Sequence, residues 1–373
     1  MTFARPSSTI FAALACTLSL AGPAAAHHRQ TPPIVQLTFS GDNTLPRLAT
    51  VNERIVVALQ TPAGRQIFQR QADRRSFRQL TNQGDNANPS QSANGKVVAW
   101  DSDAPLAGGP PFTGRQVFLL RRGVLTQITD DPTGTSMNPS VNGPGSLVAY
   151  ESQGRIFAYA VKTDAVEELS TGDGSAHNPS YGRSGGRVTF DSTSDPIDGH
   201  DTGIAQVWVL VDPYPPTPIT HGAAPSMAPV MSPKGRLVAF ESRAALADDG
   251  HDTGTTQIFA YDLAAGVFMQ VTNDPAGCSG PSIDDAIRDW RVTYVCGGRG
   301  YYTHLKSQRT FALPIPDGDT VDAVNEGGNF FIQVATTANL LGSGVNPGHF
   351  LYQLNIFKLP GTQKPTPPIR TWR

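Results

Sequence analysis

A short phrase recurs down this chain with small variations. It reads NPSQSANGKVVAWDS from Asn88, NPSVNGPGSLVAYES from Asn138, NPSYGRSGGRVTFDS from Asn178 and APVMSPKGRLVAFES from Ala228. Weaker copies start at Leu45 (LPRLATVNERIVVAL), Gly280 (GPSIDDAIRDWRVTYVC) and Ala323 (AVNEGGNFFIQVAT). Self-similarity at a spacing of roughly 40 to 50 residues marks a repeat architecture, in which each unit buries its apolar face only against its neighbours.

Within a unit, the phrase opens with a short first strand at the Pro-Ser. A turn follows, at Asn94-Gly95, Gly185-Gly186, Lys234-Gly235 or Gly327-Gly328, residues that supply positive φ in tight hairpins. The second strand is apolar throughout, as in Val97-Val98-Ala99-Trp100 or Leu237-Val238-Ala239-Phe240. Such a run suits a strand buried on both faces. A variable loop leads to a third strand opened by Gln116-Val117-Phe118, Gln206-Val207-Trp208 or Gln257-Ile258-Phe259. The fourth ends in Thr or Ser, as in Gln79-Leu80-Thr81, Gln127-Ile128-Thr129 and Gln270-Val271-Thr272. No long amphipathic helix pattern interrupts the series. Four antiparallel strands per unit, repeated radially, predict an all-β propeller.

The ends predict how the ring closes. Ile34 to Thr38 reads IVQLT, a fourth-strand phrase with no unit before it, and the last unit, ending near Phe357, has no good fourth strand of its own. The N-terminal segment is therefore expected to complete the final blade. Seven units are countable, starting near Pro46, Pro89, Pro139, Pro179, Pro229, Pro281 and Val324; the first and last are degenerate, and six blades is the alternative.

The propeller is expected over residues 27–360, with a Pro-rich tail at 361–373. Before it, Arg5, the apolar Ile10 to Leu20 and Ala24-Ala25-Ala26 make residues 1–26 read as a signal peptide. The rival reading is lipid attachment at Cys16. No stop-transfer helix follows, so no membrane span is expected. Without the leader the chain holds 28 Lys and Arg, Arg5 having gone, against 31 Asp and Glu, a net charge of −3. That balance provides no general attraction to nucleic acid. Cys278 and Cys296 survive cleavage, an even number in an oxidising compartment. A hairpin can bring them together as a structural disulfide; a reactive thiol pair is the minor reading.

The phrase P-S-x-S-x-x-G followed by an apolar run, Asp or Glu, Ser, then a Q-[IV]-F strand and a Q-[LVI]-T strand resembles the TolB-like propeller repeat. Asn88 to Thr129 and Ala228 to Thr272 match best, and the resemblance covers nearly all of the mature chain. TolB carries a separate N-terminal α/β domain that engages envelope partners. Here the propeller phrases begin soon after the leader, so the resemblance extends to the propeller only and implies a periplasmic or secreted one.

Candidate chemistry is sparse. Gly182-Arg183-Ser184-Gly185-Gly186 matches a G-x-S-x-G nucleophile elbow, which needs a strand–turn–helix setting; aligned with its sister repeats it is a hairpin turn. Asp198-Gly199-His200-Asp201-Thr202-Gly203 recurs as Asp249-Gly250-His251-Asp252-Thr253-Gly254, with further acids at Asp195 and Asp248. Asp198, Asp201, Asp249 and Asp252 are weak Ca²⁺ candidates, since such loops can offer several oxygens; the alternative is that Asp and Gly simply make the turn. No other cofactor is expected. Asp101, Glu151, Asp191 and Glu241 occupy one equivalent position in four consecutive units, which favours a structural role.

In an up-and-down blade, the loops entering first strands share one face with the loops joining second to third strands. That face is expected to collect Asp85, Asp130, Asp131, Asp173, Asp195, Asp198, Asp201, Asp248, Asp249, Asp252 and Asp274. The other collects Lys96, Arg121, Arg122, Lys162, Arg183, Arg187, Lys234 and Arg236. Asn88, Asn138 and Asn178 would ring the channel mouth on the acidic side, beside His177. The expected function is a non-catalytic module binding a protein or envelope ligand on this face. The alternative is a carbohydrate-active enzyme such as a polysaccharide lyase, with its site at the channel.

Overall fold

The computed structural model describes residues 34–38, 48–51, 54–70, 76–246, 252–285, 289–326, 331–341 and 350–356. The leader, Cys16, Asp248, Asp249 and the Pro-rich tail lie outside them. Every regular element among the described residues is a β-strand, and the 28 strands form seven four-stranded antiparallel sheets. No helix there is long and apolar enough to cross a membrane. This is a seven-bladed propeller, as the count of units predicts.

Each blade runs in chain order from the channel outward, with one exception. In blade 7 the strands Val321–Glu326, Phe331–Thr336 and Phe350–Asn355 are followed by Ile34–Gln36, which pairs antiparallel to Phe350–Asn355 with Ile34 opposite Leu354. The Leu351 amide donates to Thr38 Oγ1 at 3.0 Å. Ile67 to Thr81, Val117 to Thr129, Val207 to Thr220 and Ile258 to Thr272 make the same bond, at 2.8 to 2.9 Å. IVQLT is a true fourth strand separated from its blade by the rest of the chain.

The apolar runs explain the stacking. Along Val97–Ser102, Val97 and Ala99 face blade 3 while Val98 and Trp100 face blade 1. Both faces are apolar because both are covered. The seven clusters of buried side chains correspond to the seven interfaces between neighbouring blades. The seventh joins Leu37, Ala335 and Leu351 of the closing blade to Ile55 and Val57 of the first.

Two local expectations need correction. First strands begin before the Pro-Ser, at Asn86, Met137, Ala176, Ser226 and Cys278, and each carries a register shift within the repeated phrase. Residues there take positive φ: Asn88 (50°), Asn138 (52°), Asn178 (55°), Ala228 (51°) and Gly280 (65°). This is a β-bulge, and Asn suits it because its side chain tolerates the left-handed region. The following Pro lies on the edge strand facing the channel, where a missing N–H costs no ladder bond. The third strands of blades 4 and 5 start earlier than Gln206 and Gln257, at Asp201 and Asp252. Thr202 Oγ1 donates to the Thr193 carbonyl and Thr253 Oγ1 to that of Arg243, both at 2.8 Å, and these bonds extend each hairpin beyond the disc.

Candidate functional site at the channel mouth

The bulges build a polar wheel at one end of the channel. The Nδ2 groups of Asn88, Asn138 and Asn178 donate to the carboxylates of Asp101, Glu151 and Asp191 of their own blades, at 2.7, 2.6 and 2.9 Å. Each carboxylate also accepts the bulge amide of the next blade. Asn138 donates to Asp101 at 3.2 Å, Asn178 to Glu151 at 2.8 Å and Ala228 to Asp191 at 2.9 Å. Gly280 completes the series by donating to Glu241 at 2.8 Å. The Ser of the phrase adds a second tie: Ser90, Ser140 and Ser180 Oγ accept from Val141, Tyr181 and Met231 of the following blade at 2.9 to 3.0 Å.

The four carboxylates thus clamp neighbouring blades. Burial pushes Asp191 up to about 6, against its bonds from Asn178 and Ala228. Burial also raises Glu241, which has the Gly280 amide as its opposing contact. His177, half-exposed, sets Nδ1 3.1 Å from Glu151 Oε2, and that bond raises its pKa above the ordinary histidine value.

The wheel opens on a central channel with a cavity of about 690 Å³. Its wall includes Asn88, Asn138 and Asn178 with the Pro and Ser that follow each, together with Glu241, Ser279 and the apolar Val230, Val295 and Val324.

The acidic face is less one-sided than strand order alone implies. Loops of the two kinds do meet there: the Asp173 amide donates to the Gly199 carbonyl at 2.6 Å, and that of Arg115 to Gly134 at 2.7 Å. However, Arg65 pairs with Asp85, Arg115 bridges Asp85 and Asp101, and Arg299 pairs with Asp317. The Arg65 hydrogen bond holds Asp85 down at about 2. Asp131 is also depressed. Burial would raise it, but Thr133, Gln153 and Thr135 all donate to it. These arginines open third strands, a position that residue-type counting by loop does not separate from the strand interior.

On the opposite face, first-to-second-strand turns interlock. A Cβ at Gly143 would fall 1.7 Å from the Arg183 carbonyl oxygen, so that turn requires glycine. Asp285 accepts from Ser232 Oγ and the Lys234 amide, both at 2.8 Å, and buried Arg291 pairs with Glu326. That face therefore mixes acids with its cations. Ser184 sits in a strand–turn–strand hairpin with its hydroxyl on the Lys234 carbonyl at 3.1 Å, the turn reading and not a nucleophile elbow.

The Asp-rich hairpin of blade 4 forms turns of its own. Asp195 Oδ1 accepts from the Ile197 amide at 2.7 Å, Asp201 Oδ1 from that of Gly203 at 2.9 Å, and Asp198 pairs with His200. Asp195, Asp198 and His200 come together in the open, while Asp201 stands outside that group. Asp252 lies on its strand, with its side chain outside the described residues. Cys278 and Cys296 are opposite each other in the blade 6 hairpin and form a disulfide.

No protein-family model matches the sequence, and no curated protein does. Solved structures match widely. The β-propeller domain of the Trilobed protease from Pyrococcus furiosus aligns with a TM-score of 0.58 at 11% identity, over 85% of this chain and 96% of that one. An oligogalacturonate lyase from Vibrio parahaemolyticus aligns at 0.57 and 11%, over 87% and 93%. TolB from Acinetobacter baumannii aligns at 0.45 and 14%, over 88% of this chain and 66% of that one. At these identities the likeness is one of fold, and the fold is that of a β-propeller, here with seven four-stranded blades.

Proposed function

We propose that this chain is an exported, non-catalytic propeller that binds a protein or cell-envelope ligand at the channel mouth on its loop-rich face. The observation that carries this reading is the wheel itself. Three of the four wheel acids, Asp101, Glu151 and Asp191, are occupied as acceptors that hold blades together. What faces the channel is a concavity lined mainly by Asn, Pro and Ser, with Glu241 as the one wheel acid in its wall, suited to recognition. Export to the periplasm or beyond is supported by the leader pattern of residues 1–26 and by the disulfide. The Asp195 and Asp201 carboxylates accept backbone amides within their own hairpin, which supports the turn reading, and no cofactor enters this proposal.

One observation favours the second reading, a polysaccharide lyase. His177 and Glu151 are hydrogen-bonded within the wheel, and oligogalacturonate lyases, one in complex with manganese, share the fold.

The test uses the mature chain, residues 27–373, crosslinked in an envelope fraction and, in parallel, incubated with oligogalacturonate. A stoichiometric envelope partner is expected with the wild-type chain and not with Ser279→Trp, which crowds the mouth; EDTA should leave both partner and Tm unchanged. Equal capture by Ser279→Trp would refute the mouth as the site. Oligogalacturonate cleavage that His177→Ala abolishes would establish the lyase instead.

A further inference from the structure

The wheel has a gap at blade 5. Blades 2, 3 and 4 each supply an Asn whose amide reaches the carboxylate of the same blade. Blade 5 has Ala228 at that position, so Glu241 receives no such donor, and blade 6 has Gly280, where a Cβ would meet nothing within 4 Å. Glu241 Oε1 accepts the Gly280 amide, and no described residue donates to Oε2. Of the four equivalent acids, Glu241 is the one that lines the channel cavity. The same wall carries the apolar side chains of Val230, Val295 and Val324.

We infer that Glu241 is an open anchor for an organic cation, a protonated amine on an aliphatic stem, which takes the place that the missing asparagine amide leaves at the channel mouth. The chemistry favours this class. Glu241 is partly buried, and a partly desolvated carboxylate with one committed oxygen accepts a charge-assisted donor more strongly than a fully hydrated one. A hard metal ion would require several more oxygens than Glu241 can offer. The valines suit the stem of a lysine side chain, and a chain's N-terminal amine presents the same charge without that stem. Burial raises the Glu241 pKa, as expected for a carboxylate still short of its counter-charge. The inference rests on the reading of the mouth as a binding site and specifies what that site holds.

Calorimetric titration of the mature chain at low salt tests it with four probes: acetyl-Gly-Lys-Gly-amide, its norleucine and arginine counterparts, and a peptide whose only amine is its N-terminus. The lysine probe should bind saturably and the norleucine probe should not. The other two arms identify whether a guanidinium or a chain terminus serves as well. Ala228→Asn restores the wheel donor, and Glu241→Gln removes the charge. Each should weaken lysine-probe binding by about tenfold or more, the scale of one lost charged hydrogen bond. Ala228→Asn should melt no lower than the wild type, because Asn suits φ near 51° better than Ala, so its loss of binding is not a folding defect. Undiminished binding by either variant overturns the anchor, as does a silent wild type. If the envelope partner is captured while the lysine probe stays silent, the anchor fails and the binding module stands. If no partner is captured and the lysine probe binds as described, the opposite holds.

Discussion

Asp191 shows how one residue does two jobs in this wheel. It accepts from Asn178 in its own blade and from Ala228 in the next, and in doing so it is shut away from water. Burial therefore raises its pKa to about 6 from 3.8, despite both donors and the nearby His177. A carboxyl group with a raised folded-state pKa contributes stability below its unfolded value, and that contribution is lost as pH rises through about 6. The gap of about 2 is worth on the order of 3 kcal/mol at 1.36 kcal/mol per pH unit. Asp191→Asn keeps an acceptor and removes the charge. Denaturant midpoints from pH 4 to pH 7 should fall for the wild type relative to the variant, which should be the more stable at pH 7. A variant that tracks the wild type across this range would mean that Asp191 is ionised throughout. The position was legible in the sequence because four units repeat it. Its burial was not, because solvent access depends on how the following blade closes over it.

At the scale of the element, the third-strand Gln and fourth-strand Thr of blades 2, 4 and 5 are coupled. Thr129 Oγ1 donates to Gln116 Oε1 at 2.7 Å, and Thr220 and Thr272 do the same to Gln206 and Gln257 at 2.8 Å. The two sequence phrases are thus halves of one hydrogen-bonded device that sets the register of third and fourth strands. Blade 6 departs from the repeat and has a covalent tie instead. Cys278 and Cys296 are separated by 18 residues, a loop whose closure stabilises by about 3 kcal/mol. Replacing both by Ala should lower the denaturation free energy of the oxidised protein by roughly 2 to 4 kcal/mol, read from chemical denaturation; no change would mean that the hairpin needs no staple. The pairing was legible because both cysteines flank one hairpin. The outward extension of the blade 4 and 5 hairpins was not, since Asp-Gly-His-Asp-Thr-Gly has a turn's composition while the Thr202 and Thr253 hydroxyls carry the ladder onward.

For the whole molecule, the decisive bond set is the one that joins the two ends of the fold. Ile34–Gln36 pairs with Phe350–Asn355, Leu37 fills the core between blades 7 and 1, and Thr38 caps the Leu351 amide. Without that strand the third strand of blade 7 becomes an open edge, and Leu37 is lost from the closing core. Removing residues 34–38 from the mature chain should cost on the order of 5 kcal/mol, from three apolar side chains and their ladder bonds. That loss should lower Tm by roughly 10 °C, and adding the IVQLT peptide in trans should restore part of it. A truncated chain that melts like the parent would show that closure rests on the blade faces alone.

The sequence by itself determined the repeat, the strand order within each blade and the partner of the N-terminal strand. These follow from apolar periodicity and turn residues, which act over a few positions and survive in any copy of the unit. The structure decided between six and seven blades. The open carboxylate at Glu241, the arginines that neutralise the acidic rim and the commitment of the wheel asparagines were decided by the tertiary structure. Each depends on distances between side chains of different blades, and only the closed ring fixes those distances. The substitution of Ala228 and Gly280 for asparagine was visible in the repeated phrase throughout, but its meaning required the neighbouring blade to be in place.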